Sequence, residues 1–259
     1  MNIHLPPDVA DADPQSANPA WVPAFSYAFQ PIVDVVAREI FSYEALIRGQ
    51  SNEPAFRVLE GVPARAKYQF DADSRAAAIA LAVRLGLDCH LNLNFLPQGL
   101  YASNASVTST LAAAARHALP IDRVILEVTE GEVIADYAHL AQQLNEFRSM
   151  GLKVAIDDFG AGYSGLNMLA DFQPDQIKID MKLVRGIERH GPRQAIVRAV
   201  VQVCADLGID VIAEGVESLQ EYAWFAEHGV RLFQGYLFAR PGFESFPPAH
   251  FPDRDCPLP

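Results

Sequence analysis

The sequence predicts an α/β fold: a TIM-like (β/α)8 barrel with the first strand antiparallel to the others. Three observations carry this expectation. Short apolar runs rich in β-branched residues alternate with segments of helical spacing along most of the chain. Glycines stand where those helical segments should end, each just before the next apolar run. Only the first two runs lack a helix between them. The 259 residues suit a single barrel of this kind.

Taken in order, the first strand is "FSYAFQPIV" and the second "EIFSYEALI". Asp34 to Arg38 separate them, too few residues for a crossover helix, so the pair should be an antiparallel hairpin. A helix over Ala72 to Leu85 leads through Gly86 to the strand "CHLNLNF". Ser106 to His117 is the next helix and "RVILEVTE" the next strand. Tyr137 to Met150 and Gly151 lead to "KVAIDD", and "QIKID" follows. Arg193 to Leu207 and Gly208 lead to "DVIAEGV"; Leu219 to Glu227 and Gly229 lead to "LFQGYLF". Strands that alternate with helices pair in parallel. An open doubly wound sheet is the rival fold, but it would carry a glycine-rich phosphate loop after an early strand, and none is present.

The ends read differently. Residues 1–23 are rich in Pro, Asp, Ser and Asn and read as a flexible tail. Residues 24–246 form the expected barrel, and 247–259 a Pro-rich C-terminal tail. The N-terminus lacks the basic start and apolar block of a signal peptide. No apolar run reaches the roughly 18–20 residues of a membrane span. Cys89, Cys204 and Cys256 are far apart without metal-binding spacing, and read as reduced thiols of a cytoplasmic protein. A formal net charge of −12 argues against gripping polymeric nucleic acid through its phosphates. A small anionic ligand stays compatible if metal ions or a few local cations reverse the field in one pocket.

The polar residues supply the functional signal. Glu44, Asn94, Glu127, the adjacent Asp157 and Asp158, Lys178, Glu214 and Gln234 all fall at or near the C-terminal ends of separate apolar runs. In a barrel those ends converge on one face. Taken singly, each is an ordinary cap or loop residue. Taken together, they describe one pocket. Asp157 and Asp158 can both face it only if their strand is ending there, because neighbouring side chains on a strand point oppositely. Oxygen donors without Cys or His suit Mg²⁺ or Mn²⁺. Several carboxylates in one place suggest two ions, the usual arrangement for phosphodiester hydrolysis. Asp157 is the candidate bridge and Asp158 a ligand of the second ion. Lys178 could orient the attacking water or stabilise developing charge, and Glu214 could take the water's proton.

The motifs resemble those of the EAL-domain family of cyclic di-GMP phosphodiesterases over roughly Phe25 to Pro241. "YEALIRG", "NLNFLP", "LEVTE", "IDDFGAGYSGL", "IKID", "AEGVE" and "FQGYLFARP" follow in the family's order. The resemblance implies that Glu44, Asn94, Glu127 and Asp157 hold a first metal ion. It implies that Asp157 and Asp158 hold a second, with Glu214 contacting that ion or its water and Lys178 catalytic. Arg48 resembles the substrate-phosphate arginine, Gln30 and Gln234 resemble substrate-pocket residues, and Leu46 would line the same pocket. Asp180 and Glu217 match polar positions around the substrate. Glu130 matches the glutamate that anchors the loop Phe159 to Leu169, which the family associates with dimerisation.

The function so implied is hydrolysis of cyclic di-GMP to linear pGpG by a homodimer using two Mg²⁺ or Mn²⁺, with Ca²⁺ expected to bind and inhibit. The alternative is a cyclic di-GMP receptor with little turnover. An enolase-like barrel also combines lysine with metal-bound carboxylates, but Arg48, the two glutamines and the motif order oppose it. "AGYSG" lacks the spacing of a phosphate loop. Two departures stand out: Gly49 where many members carry Trp, and "NFLP" in place of "NLSP". Neither removes a candidate ligand.

Overall fold

Asp34 makes the first turn. Its Oδ1 accepts the N–H groups of Val36 and Ala37 at 2.9 and 3.0 Å, and Arg38 closes the turn at φ 57°. This joins β1 (Phe25–Asp34) to β2 (Glu39–Gly49) as the expected antiparallel hairpin, with Gln30 opposite Glu44. The structure is a computed structural model that describes residues 24–97, 105–129, 137–162 and 165–252. The expected tail over residues 1–23 lies outside them.

The chain continues through α1 (Ala55–Leu59), a 3-10 turn at Ala64–Ala66, α2 (Lys67–Arg84) and β3 (His90–Asn94). Next come α3 (Ala105–Arg116), β4 (Val124–Thr129), α4 (Tyr137–Ser149), β5 (Lys153–Phe159), α5 (Gly165–Asp171) and β6 (Gln176–Ile179). It ends with α6 (Met181–Val184), α7 (Gly191–Leu207), β7 (Asp210–Ala213), α8 (Leu219–Glu227), β8 (Leu232–Gln234) and the two-residue β9 (Gly242–Phe243). Strands β2 to β8 pair in parallel, and β1 closes the barrel antiparallel to both β2 and β8. Gly86, Gly151, Gly208 and Gly229 all take positive φ where the helices turn back to the sheet.

Strand alternation sorts the residues into two cores. The outward set packs under the helices and includes Phe29, Val33, Leu91, Leu93, Leu126, Val154, Ile156, Ile177 and Phe233. Fully burying a side chain of this size is worth about 1.5–3 kcal/mol, so this layer dominates stability. The inward set is mixed. Ile32, Ile212 and Leu232, with Phe41 against them, form a small apolar floor. One step further along each strand the same inward faces carry Gln30, Glu44, Asn92, Glu127, Lys178 and Gln234, all buried.

Hairpin geometry leaves the outer face of β1 and β2 without a crossover helix. The segment after β8 fills that role. Phe246 packs on Phe29 and Tyr43 at centroid distances of 4.8 and 4.4 Å, and the Tyr43 hydroxyl donates to the Pro247 carbonyl at 2.9 Å. Arg38 lies over the Phe251 ring and donates to the Pro252 carbonyl. Packing therefore extends to residue 252, past the boundary at 246 that composition suggests. Proline content reports a lack of regular structure, and this segment is irregular yet attached.

Candidate active site

Lys178 is the third residue of β6 and has no exposed surface. Its Nζ lies 3.1 Å from Glu44 Oε2, 3.1 Å from Asp157 Oδ1, 3.3 Å from Glu127 Oε1 and 3.9 Å from Glu214 Oε2. Four carboxylates from four strands or strand ends thus gather around one buried cation. Burial alone would pull the Lys178 pKa down, but Asp157, Glu127, Glu44 and Glu214 outweigh it and hold the ammonium well above its usual range.

The carboxylates shift upward as well, which for an acid favours the neutral form. Burial pushes Glu127 well above the ordinary range, and Glu44 and Asp157 add to it against Lys178 and the Asn92 hydrogen bond. Glu214 rises to about 8, first through burial and then through Asp157, Glu44 and Asp158, with Lys178 opposing. Asp158 rises to about 6 through burial, Asp157 and a hydrogen bond with the Asp180 carboxyl. One ammonium does not neutralise this many carboxylates, so the buried acids are balanced by taking up protons or by further positive charge.

The adjacent aspartates reach the site by a device that alternation does not foresee. Pairing between β5 and β6 slips between Ile156 and Phe159, so three steps on β5 match two on β6. Asp158 occupies the slip at φ 55°. This is a bulge, which inserts one residue and re-aims the side chains around it. Oxygens of Asp157, Asp158 and Glu214 consequently lie within 4.8 Å of one another. The strand does not end at the aspartates; it bends there and runs on to Phe159. Nor does β2 end at Glu44, the sixth of its eleven residues, because the long hairpin carries the chain past the mouth.

The amides fall into place around the glutamates. Gln234 Nε2 donates to Glu44 Oε2 at 2.7 Å, and Asn94 Nδ2 approaches Glu44 Oε1 at 3.5 Å. Asn92 Nδ2 donates to Glu127 Oε1 at 2.8 Å. Asn92 is absent from the set read from strand ends. The alternation Leu91-Asn92-Leu93-Asn94 carried the signal, since residues two apart share a face.

Other expected residues lie at the rim. Gln30 Nε2 donates to the Ala239 carbonyl at 3.2 Å. Leu46 and Arg48 line a cavity of about 500 Å³ between β2, the end of β3 and α1–α2. Burial pulls the Arg48 pKa down, against Tyr236 and Glu44. Asp180 caps α6, its Oδ1 accepting Lys182 N–H at 2.7 Å, while it also meets Asp158. Glu217 is held by Arg185 Nη2 at 2.8 Å. Glu130 lies outside the described residues.

The donor set fits divalent cations on its own chemistry. It consists of carboxylate and amide oxygens, without sulfur or imidazole, which suits hard ions such as Mg²⁺ and Mn²⁺. Glu127 Oε2 and Glu214 Oε2 are buried and find no hydrogen-bond donor among the described residues. Buried acceptors beside a trio of converging carboxylates fit positive charge at this point.

Similarity to known proteins bears on this arrangement. The EAL domain family matches residues 22–241. The blue light- and temperature-regulated antirepressor BluF of Escherichia coli K12 is 35% identical over 229 residues, 88% of this chain and 57% of that protein. The cyclic di-GMP phosphodiesterase RocR of Pseudomonas aeruginosa is 37% identical over 170 residues, 66% of this chain and 42% of that protein. The chain thus spans about half the length of these curated relatives. A standalone EAL protein from Vibrio cholerae O395, solved in a c-di-GMP-bound form, superposes with a TM-score of 0.84 at 47% identity, covering 87% of this chain and 95% of that one.

Proposed function

The chain belongs to the EAL-domain family, and from that premise we propose that it is a phosphodiesterase hydrolysing one phosphodiester of cyclic di-GMP to linear pGpG. The observation that carries the proposal is the convergence of Glu44, Glu127, Asp157 and Glu214 on Lys178 at the barrel mouth. Glu44, Asn94, Glu127 and Asp157 would hold one Mg²⁺ or Mn²⁺, and Asp157 and Asp158 a second, with Glu214 at that ion or its water. Bound ions would supply Lewis-acid polarisation of the phosphate and a lowered pKa for a water molecule.

The chain's own groups define the rest. Hydrolysis joins a water oxygen to phosphorus and breaks one P–O bond, with a proton passing to the leaving oxygen. Glu214, on the loop after β7, would take the attacking water's proton, and its raised pKa makes its ionised form a stronger base than an ordinary carboxylate. Lys178 stays charged throughout, since its pKa is driven further up, so it serves as a fixed positive charge that orients water and offsets charge developing at phosphate. Arg48 and Leu46 line the adjoining cavity, where Arg48 would meet a substrate phosphate and the apolar wall a flat base. Gln30, Gln234, Asp180 and Glu217 complete the proposed substrate surround, and Glu130 is proposed to steady the loop after Asp158.

Around that site, we propose a barrel domain that begins at residue 24 and includes the packed segment through 252, flanked by an N-terminal tail and acting as a homodimer in the cytoplasm. Among the described residues, no helix is long and apolar enough to cross a membrane. A second reading, a cyclic di-GMP receptor with little turnover, is favoured by the likeness to BluF, whose name is that of an antirepressor. The assay that separates the two is incubation with cyclic di-GMP and Mn²⁺ followed by chromatography. Accumulating pGpG supports the enzyme; tight binding by calorimetry with no product supports the receptor. Ca²⁺ accepts longer and more numerous oxygen contacts than Mg²⁺. It is expected to bind and leave substrate uncut, and turnover with Ca²⁺ equal to that with Mg²⁺ would remove that geometric argument.

A further inference from the structure

We propose that Asn92 is a positioning residue for the ion site: it fixes the Glu127 carboxylate so that Oε2 is the oxygen presented to a divalent cation. This rests on reading the carboxylate cluster as an ion site. Asn92 lies on the inward face of β3, fully buried, in register with Glu44 on β2 and Ile125 on β4. Its Nδ2 donates to Glu127 Oε1 at 2.8 Å. Lys178 Nζ approaches that same oxygen at 3.3 Å. The two donors therefore occupy Oε1 and leave Oε2 buried and without a hydrogen-bond partner among the described residues.

The division of labour between the two oxygens is the point of the arrangement. A carboxylate on two rotatable bonds beyond Cβ can turn either oxygen toward an ion. A neutral amide donor on one oxygen removes that freedom without adding charge, and a buried donor does so more firmly than water. Glu44 has the same kind of support, since Gln234 donates to its Oε2 at 2.7 Å. Each deep glutamate of the cluster is thus held by one buried amide from a neighbouring part of the sheet. Partners that orient a metal ligand are worth about 10- to 100-fold in metal affinity.

The test uses binding, not turnover. Mg²⁺ demands near-ideal geometry, whereas Ca²⁺ tolerates displaced ligands. Removing the donor by the nearly isosteric Asn92→Leu is expected to weaken Mg²⁺ binding at least about tenfold by calorimetry. Ca²⁺ binding is expected to weaken less than about threefold. General loosening of the barrel would weaken both ions alike, and equal losses for the two ions, or no loss, overturn the proposal. A double-mutant cycle guards against a variant that folds poorly. In a Glu127→Gln background, which removes the buried charge, adding Asn92→Leu is expected to change Mg²⁺ affinity by less than about twofold. A tenfold effect there would show that Asn92 does not act through Glu127. Glu44→Ala serves as the control for the premise. If that variant binds Mg²⁺ like the parent, the ion-site reading itself fails; if it loses Mg²⁺ while Asn92→Leu does not, the positioning role alone fails.

Discussion

At the scale of single residues, the site is set by burial acting on acids. Burial raises Glu214 to about 8 and Asp158 to about 6, against ordinary values of 4.5 and 3.8. A folded-state pKa above the unfolded value means that the folded chain holds a proton the unfolded chain has released. For Glu214 the ion-free protein should therefore lose stability as pH rises from about 4.5 through 8. Melting in EDTA is expected to occur at lower temperature at pH 8 than at pH 6. Divalent ions bind the deprotonated oxygens, so saturating Mg²⁺ should raise Tm more at pH 8 than at pH 6. Titration of Mg²⁺ near pH 7 should release protons, visible as a dependence of calorimetric heat on buffer ionisation enthalpy. Identical heats in phosphate-free buffers of different ionisation enthalpy would contradict the assigned protonation.

At the scale of elements, each strand delivers its polar side chain to the mouth in its own way. Asn94 and Gln234 end β3 and β8, Glu214 follows β7, Glu44 sits mid-strand, and Asp157 and Asp158 depend on a bulge. The turn after β8 also depends on one glycine. Gly235 takes φ 157°, and a Cβ there would stand 2.1 Å from the Val216 carbonyl oxygen, which is backbone and cannot swing away. That approach lets Val216 N–H donate to the Gln234 carbonyl at 3.0 Å and so ties the β7 and β8 loops together behind Glu214. Gly235→Ala is expected to cost at least about 1–3 kcal/mol through overpacking and to displace Gln234 from Glu44. A Tm within a degree of the parent, with unchanged Mg²⁺ affinity, would contradict this. The sequence made the strands, the hairpin and the collection of acids legible because they follow from periodicity and residue type. The bulge was not legible, since an extra residue leaves no mark in an apolar pattern. Asn92 falls outside the strand-end pattern because it lies two positions before the end of β3, although the Leu-Asn alternation places it on the same face as Asn94.

At the scale of the whole molecule, a barrel whose first strand is reversed lacks one covering helix, and the chain supplies the cover from its other end. Phe246, Phe251 and the Pro247 carbonyl lie along β1 and β2, with Arg38 reaching Pro252 at the far turn. Proline-rich composition concealed this attachment, because irregular segments can be as firmly packed as helices. Phe246→Ala removes a half-buried ring from Phe29 and Tyr43 and should cost about 1.5–3 kcal/mol. In a domain of this size that is a fall of roughly 3–12 °C in Tm. An unchanged Tm would mean that the segment is not part of the folded unit. The net charge of −12 belongs to this scale too, and it adds to the negative field that the proposed anionic substrate would meet at the mouth.

The gathering of distant acids into one ion-holding mouth that cleaves a phosphodiester is tested most directly by following cyclic di-GMP by chromatography with the parent chain and Glu44→Ala, each in Mg²⁺ and in EDTA. The account predicts pGpG from the parent chain in Mg²⁺ and from no other combination. Product formed equally in EDTA, or by Glu44→Ala at the parent's rate, would contradict it.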